Sequence, residues 1–287
     1  MKSVIRPLLN FYIYSSIHIS ISAALFTFES YLIFKLPINW VFISFVFFAT
    51  ILTYSTHRIV GIKKIKEEFI HGRFKVIKTY LHHIIIYAVI AFCALIWLFT
   101  QLNFATQKLL IIPIIISFLY TVPTFKKGKR LRDFNYIKIL LIAASWAAIA
   151  VIDIYRTVDV SLIFIFWVLA FEKFSYILAI TLPFDIRDLE IEKANQVKTI
   201  PALIGQKKTL YIVYSLLIIC FISMTFILQN IYGFNFQSLL LIFFAYSLSI
   251  FAVKLSEGKT SDDYYSGILD GVIAIRALTI AFAFYLV

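Results

Sequence analysis

A chain of 287 residues that is 62% hydrophobic and only 15% charged lacks the polar residues to clothe a water-soluble core, which excludes a soluble globular domain. Its apolar residues run in long blocks between short polar loops, with a mean hydropathy of +0.92, the pattern of an all-α polytopic membrane bundle. The formal charge of +12 is dispersed among the loops, so it reports membrane orientation and not nucleic-acid binding.

A hydrocarbon core of about 30 Å takes ~20 helical residues. This ruler predicts about nine transmembrane helices, near 9–34, 38–56, 80–100, 105–124, 135–154, 160–184, 208–229, 236–254 and 264–286, in a single integral membrane domain over 1–287. Lys2 and Arg6 precede the first block and no small-residue cleavage site closes it, so it is expected to remain as a span. Cys93 and Cys220 have no metal-ligand or disulfide spacing and are expected to be small buried hydrophobes. Twenty-one Lys and Arg residues fall on the side of the N-terminus, against Lys35, Lys108 and Arg156 on the other; Lys138, Lys173 and Arg276 fall within spans. That asymmetry predicts an inner-membrane protein with its N-terminus inside and its C-terminus outside. The longest polar loops, 57–79 and 185–207, are then both cytoplasmic.

Ionisable groups inside spans are costly and are functional candidates by default. They are His18 and Glu29 on the first span, Glu172 and Lys173 on the sixth, and Asp270 and Arg276 on the ninth. Adjacent Glu172 and Lys173 point about 100° apart and need separate partners; Arg276 can meet Glu29 or Glu172 only across the bundle. His18, with Ser15 and Ser22, forms a polar stripe that either lines a cleft or bonds between helices. Asp153 and Asp159, at the outer end of span five and in the loop after it, are expected to be solvated.

Four of the fifteen acidic residues cluster at the inner end of span six, as Asp185, Asp188, Glu190 and Glu192. On a helix, positions 185, 188 and 192 lie within about 60° of one another. Three carboxylates on one face either hold a cation, with Mg2+ suited to such hard oxygen ligands, or form a solvated helix end paired with Arg187 and Lys193.

The stretch from Asp185 to Lys193, with Val197-Lys-Thr-Ile-Pro-Ala-Leu-Ile-Gly205 after it, resembles the second aspartate-rich motif of the UbiA superfamily of intramembrane prenyltransferases. That motif runs N-x-x-R-D-x-E-x-D-R and then K-[RS]-T-x-x-x-x-x-G. Arg187, Asp188, Glu190, Lys198, Thr199 and Gly205 match, Glu192 replaces the last aspartate, and Phe184 stands for the common asparagine. Leu119-Tyr-Thr-Val-Pro123, with Lys126 and Lys127, is similar to the family's fourth-span ending. The resemblance implies a UbiA-like bundle that binds an isoprenyl diphosphate with Mg2+ and transfers the isoprenyl group to a lipophilic acceptor at the cytoplasmic face. Carried over by position, it implies Asp185, Asp188 and Glu192 as metal ligands. Arg187, Lys198 and Lys126 become diphosphate contacts, and Tyr120 and Glu190 the catalytic candidates.

The family's first motif, N-D-x-x-D-x-x-x-D, would fall on Thr53–Gly61, where its aspartates are replaced by Tyr54, His57 and Gly61. Three meanings stay open. His57 and Arg58 could contact diphosphate oxygens in place of a metal. Diphosphate ionisation could have been abandoned on a fold kept for lipid binding. Or the two residues could be an interfacial cap. A transporter remains a further alternative, suggested only by the intramembrane charges.

Overall fold

The structure is a computed structural model that describes residues 11–62, 73–194 and 197–287; Lys2, Arg6, Lys63, Lys64 and Lys66 lie outside the described residues. All regular structure among the described residues is helical, apart from one isolated bridge between Phe125 and Lys129. The helices are α1 (Ile17–Ile33), α2 (Trp40–Ile62), α3 (Arg73–Thr79), α4 (Leu81–Gln101), α5 (Phe104–Thr121), α6 (Ile137–Val151), α7 (Ile163–Arg187), α8 (Leu189–Ala194), α9 (Ile200–Ile204), α10 (Gln206–Tyr232), α11 (Phe236–Ser256) and α12 (Asp270–Tyr285). A π-helical turn at Tyr264–Leu269 leads directly into α12. Among the described residues, seven segments are long and apolar enough to cross a membrane, and α1 and α6 are shorter apolar helices, in keeping with the expected count of about nine.

Two boundaries depart from the sequence reading. The first span begins only at Ile17, because Ser16 turns left-handed at φ 71° and breaks the run. The second continues past 56 to Ile62, so His57 and Arg58 ride on its last turns. Cys220 is buried as expected, whereas Cys93 faces outward from α4 among exposed Ile90, Phe92 and Trp97, where lipid is the natural neighbour.

Helix neighbours form a closed circuit, in which α1 packs on α2 and α12, α11 on α12 and α10, α7 on α10 and α6, and α5 links α6 back to α2, on which α4 also packs. Contact between α1 and α6 divides this circuit into two lobes. One lobe, walled by α1, α2, α4, α5 and α6, encloses a cavity of about 690 Å3. Its wall is mostly apolar, including Phe26, Phe45, Phe99, Leu110 and Trp146. The threonines Thr27, Thr50 and Thr121 donate their hydroxyls to carbonyls of their own helices, which presents methyl groups to the space.

The other lobe, with α7, α10, α11 and α12, is tightly packed around four buried charges. Lys173 pairs with Glu29 and also donates to the Phe26 carbonyl at 2.8 Å. Arg276 pairs with Glu29 and, at 2.6 Å, with Glu172, which also accepts from the Tyr246 hydroxyl at 2.5 Å. All four charged side chains are fully buried, and their charges cancel. Neighbouring Glu172 and Lys173 therefore do find separate partners. His18 Nε2 donates to the Gly267 carbonyl at 3.0 Å in the π turn, and Ser22 Oγ to the Asp270 carbonyl at 3.1 Å, so this polar stripe bonds α1 to the last span.

Asp153 is not the solvated residue expected from its position. It accepts from Tyr31 at 2.6 Å, Asn39 at 3.0 Å and Thr106 at 2.6 Å, tying α1, the α1–α2 loop and α5 to the end of α6. Its donors sit on helices remote in sequence, which is why position alone did not reveal the role. Asp153→Ala strands three donors and is expected to cost about 3 kcal/mol. A thermal unfolding curve in detergent should show the loss, with Asp153→Asn retaining part of the stability; an unshifted midpoint for alanine would refute the tie.

Candidate functional site

At the end of the bundle where α2, α5 and α7 terminate, two loops are stitched together. Asn135 Oδ1 accepts from the Lys198 backbone N–H at 2.9 Å, and the Tyr136 N–H donates to the Lys198 carbonyl at 3.0 Å. Tyr136 adopts the left-handed conformation at φ 62°, uncommon for an aromatic residue, and so starts α6 in a direction set by this stitch. Gly205, at φ 83°, separates α9 from α10 in a conformation that glycine adopts without strain.

Lys138, two residues into α6, lies between the clustered carboxylates. Its ammonium donates to Asp185 at 2.7 Å and to Glu192 at 2.7 Å, with all three side chains nearly closed to solvent. Asp188 turns elsewhere and is gripped by Arg187, from Nε at 2.7 Å and Nη2 at 3.0 Å. Arg187 also reaches Asp262 at 3.4 Å and stacks over the Tyr265 ring at 4.6 Å. The three carboxylates expected to share a metal are thus distributed over two cationic side chains. Among the described residues, no three His, Cys, Asp or Glu side chains gather to hold a metal ion. Mg2+ would have to displace Lys138 and Arg187, so the donor set as arranged does not fit it.

The remaining candidates separate just as clearly. Arg58 donates to the Tyr14 carbonyl and, at 2.7 Å, to Ser16 Oγ, which makes it a cap on the entry to α1. His57 points to a different neighbour and stacks on Tyr120, with ring centres 6.4 Å apart. Arg132 lies over the other partner of that stack, 5.2 Å from the Tyr120 ring. Arg58, Arg130, Arg132 and Lys138 all lie within electrostatic reach of His57. Arg130 clamps Asp133 through Nη2 at 2.9 Å and Nε at 3.2 Å. Burial pushes the Asp133 carboxyl up, but hydrogen bonds from the Arg130 side chain and backbone outweigh it and hold it below the usual carboxylate range. Lys126, Glu190 and Lys198 carry exposed side chains.

Two buried nitrogens in this group, His57 Nε2 and Arg130 Nη1, have no hydrogen-bond partner, and neither has the hydroxyl of Thr199, next to Lys198 in sequence. The 690 Å3 cavity reaches this end of the bundle through Thr53, Tyr54 and Thr56 on α2 and Thr121 and Val122 at the end of α5. His57 and Tyr120 are chain neighbours of the cavity-lining Thr56 and Thr121, although neither ring itself lines the cavity. None of Asp185, Asp188, Glu190 or Glu192 lines the cavity. Lys138 and Arg132 were the residues missed by sequence reasoning. Lys138 was detectable as an ionisable residue inside an apolar helix; Arg132 was indistinguishable from its basic neighbours in the loop.

No curated protein matches the chain in sequence. Among solved structures, a UbiA homologue from Aeropyrum pernix K1 superposes with a TM-score of 0.66 at 12% identity, covering 94% of this chain and 98% of that one. A UbiA homologue from Archaeoglobus fulgidus bound to DMAPP and Mg2+ gives a TM-score of 0.60 at 13% identity, covering 95% and 98%. The same organism's homologue bound to GPP and Mg2+ gives 0.60 at 11%, covering 97% and 100%. These likenesses show a shared fold. Residues 78–266 match the UbiA prenyltransferase family, which takes in the stacked Tyr120, the lysine of α6 and the whole acidic segment, and this chain belongs to that family.

Proposed function

We propose that this protein transfers an isoprenyl group from an isoprenyl diphosphate to a lipophilic acceptor at the cytoplasmic face of the inner membrane. The single observation that carries the reading is a large apolar cavity whose lining residues Thr56 and Thr121 are chain neighbours of His57 and Tyr120, beside which Arg130, Arg132 and Lys138 gather. An isoprenyl diphosphate has that same division, a greasy tail on a polyanionic head. The chain would act as one membrane domain, N-terminus inside and C-terminus outside, which the 21 to 3 division of basic residues supports.

The chemistry follows from these residues. The head lies among Arg132, Lys138 and His57, with Arg187, Lys198 and Lys126 as further diphosphate contacts. As the C–O bond to diphosphate breaks, its electron pair leaves on the phosphate oxygen, where cationic donors stabilise the growing charge. The allylic cation left behind is steadied by the face of Tyr120. The acceptor then donates an electron pair to that carbon and loses a proton, with exposed Glu190 the proposed route for the proton.

A second reading, an isoprenoid-binding protein without turnover, is favoured by one observation. Three of the four carboxylates of the acidic segment are already engaged, Asp185 and Glu192 by Lys138 and Asp188 by Arg187. A transporter is less supported, since none of the four bilayer charges lines the cavity. Purified protein in lipid discs, given labelled isoprenyl diphosphates and lipid extracts containing acceptors, is expected to release pyrophosphate. Binding without release would favour the second reading, and no binding at all would overturn both.

A further inference from the structure

We infer that Lys138 takes the place of a divalent cation in this protein, so that an organic diphosphate is bound by side-chain cations alone. This deepens the proposed function and rests on its reading of the cavity mouth as a diphosphate site. Three independent features converge on it. The first is occupancy: the Lys138 ammonium sits 2.7 Å from both Asp185 and Glu192, the position a bridging cation would take between two carboxylates.

The second is the shortage of acidic ligands on the described helices that wall the cavity. Helices α2, α4, α5 and α6 carry no Asp or Glu, and Glu29 on α1 is buried with Lys173 and Arg276. In the loop before α6, the sole acid is Asp133, clamped by Arg130. A magnesium ion needs several hard oxygen ligands and holds its waters tightly, and the described residues of this wall offer it no free carboxylate. The third is the supply of anion donors. Arg130, Arg132 and Lys138 lie within electrostatic reach of His57, and His57 Nε2 and Arg130 Nη1 are buried without partners. An unpartnered guanidinium N–H is costly to bury and suits a phosphate oxygen, as does an imidazole nitrogen in the tautomer that carries its proton.

The arrangement makes a prediction that a merely structural lysine would not. Removing the ammonium leaves Asp185 and Glu192 close together and largely buried, a pair that is unfavourable unless a cation returns. Lys138→Ala should therefore acquire dependence on divalent metal. The test is calorimetric titration of the intact protein in detergent with geranyl diphosphate, in EDTA and in Mg2+, for the parent, Lys138→Ala and Lys138→Arg. The parent is expected to bind within about twofold in the two conditions, because one charge-assisted contact is retained throughout. Lys138→Ala should lose at least about tenfold in EDTA, the equivalent of one such contact, and recover part of that in Mg2+. Lys138→Arg should bind without metal, and its elution and unfolding profile checks that position 138 tolerates change.

Parent binding that appears only with Mg2+ would overturn the inference while leaving the isoprenyl diphosphate reading intact. Lys138→Ala binding like the parent in EDTA would equally remove Lys138 from the site. If the parent binds geranyl diphosphate in neither condition, the functional reading itself fails and the inference falls with it.

Discussion

Arg276→Met is expected to be among the most damaging single substitutions in this chain, lowering stability by at least about 3–5 kcal/mol. The arginine pairs with Glu29 on α1 and Glu172 on α7, and it donates to the Tyr246 hydroxyl of α11 at 2.9 Å. Its guanidinium also lies 4.6 Å from the Tyr176 ring. Without it, two carboxylates share a buried space with one lysine, and neither water nor lipid supplies a counter-charge. The diagnostic experiment is the double variant Arg276→Met/Glu172→Gln, in which Glu29 and Lys173 still balance. Thermal unfolding of single and double variants should show that Glu172→Gln restores at least half of the loss. Strict additivity of the two changes would mean that the charges do not interact as the geometry implies.

Ala49→Trp is the second large effect, on ligand binding instead of folding. Ala49 faces the cavity from α2, between Phe45 and Thr53 on the same wall. An indole there competes with the tail for space, and the cavity must either overpack or exclude part of the chain. Tail burial itself draws modest energy, because lipid is as apolar as the cavity wall. Steric exclusion is therefore the dominant cost once the head is anchored, and geranylgeranyl diphosphate should bind about a hundredfold more weakly, or ~2.7 kcal/mol. Inorganic pyrophosphate, which has no tail, should bind as it does to the parent. Ile90→Trp, on the outward face of α4, should change neither. Equal losses for pyrophosphate and geranylgeranyl diphosphate in Ala49→Trp would place the tail elsewhere.

These two substitutions probe the two lobes separately. The packed lobe supplies a rigid frame in which α1, α7 and α12 are tied by charge and α11 by the Tyr246 hydroxyl. The open lobe keeps the space in which a lipophilic ligand fits. Because α1 and α6 belong to both, Lys138 at the start of α6 and Arg58 on the α1 entry lie where the frame meets the cavity mouth.

The sequence alone determined the membrane class, the nine helical segments and their family, since span length, hydropathy and the spacing from Asp185 to Gly205 are local properties. It also marked Glu29, Glu172, Lys173 and Arg276 as groups in need of partners. Tertiary structure decided who those partners are, that Asp153 is a three-way acceptor, that Arg58 and His57 serve different neighbours, and that Lys138 occupies the space between Asp185 and Glu192. The physical reason is that a helix apolar on nearly every side has no legible buried face. Period 3.6 says which residues of one helix share a direction, but only packing between distant segments says what lies in that direction.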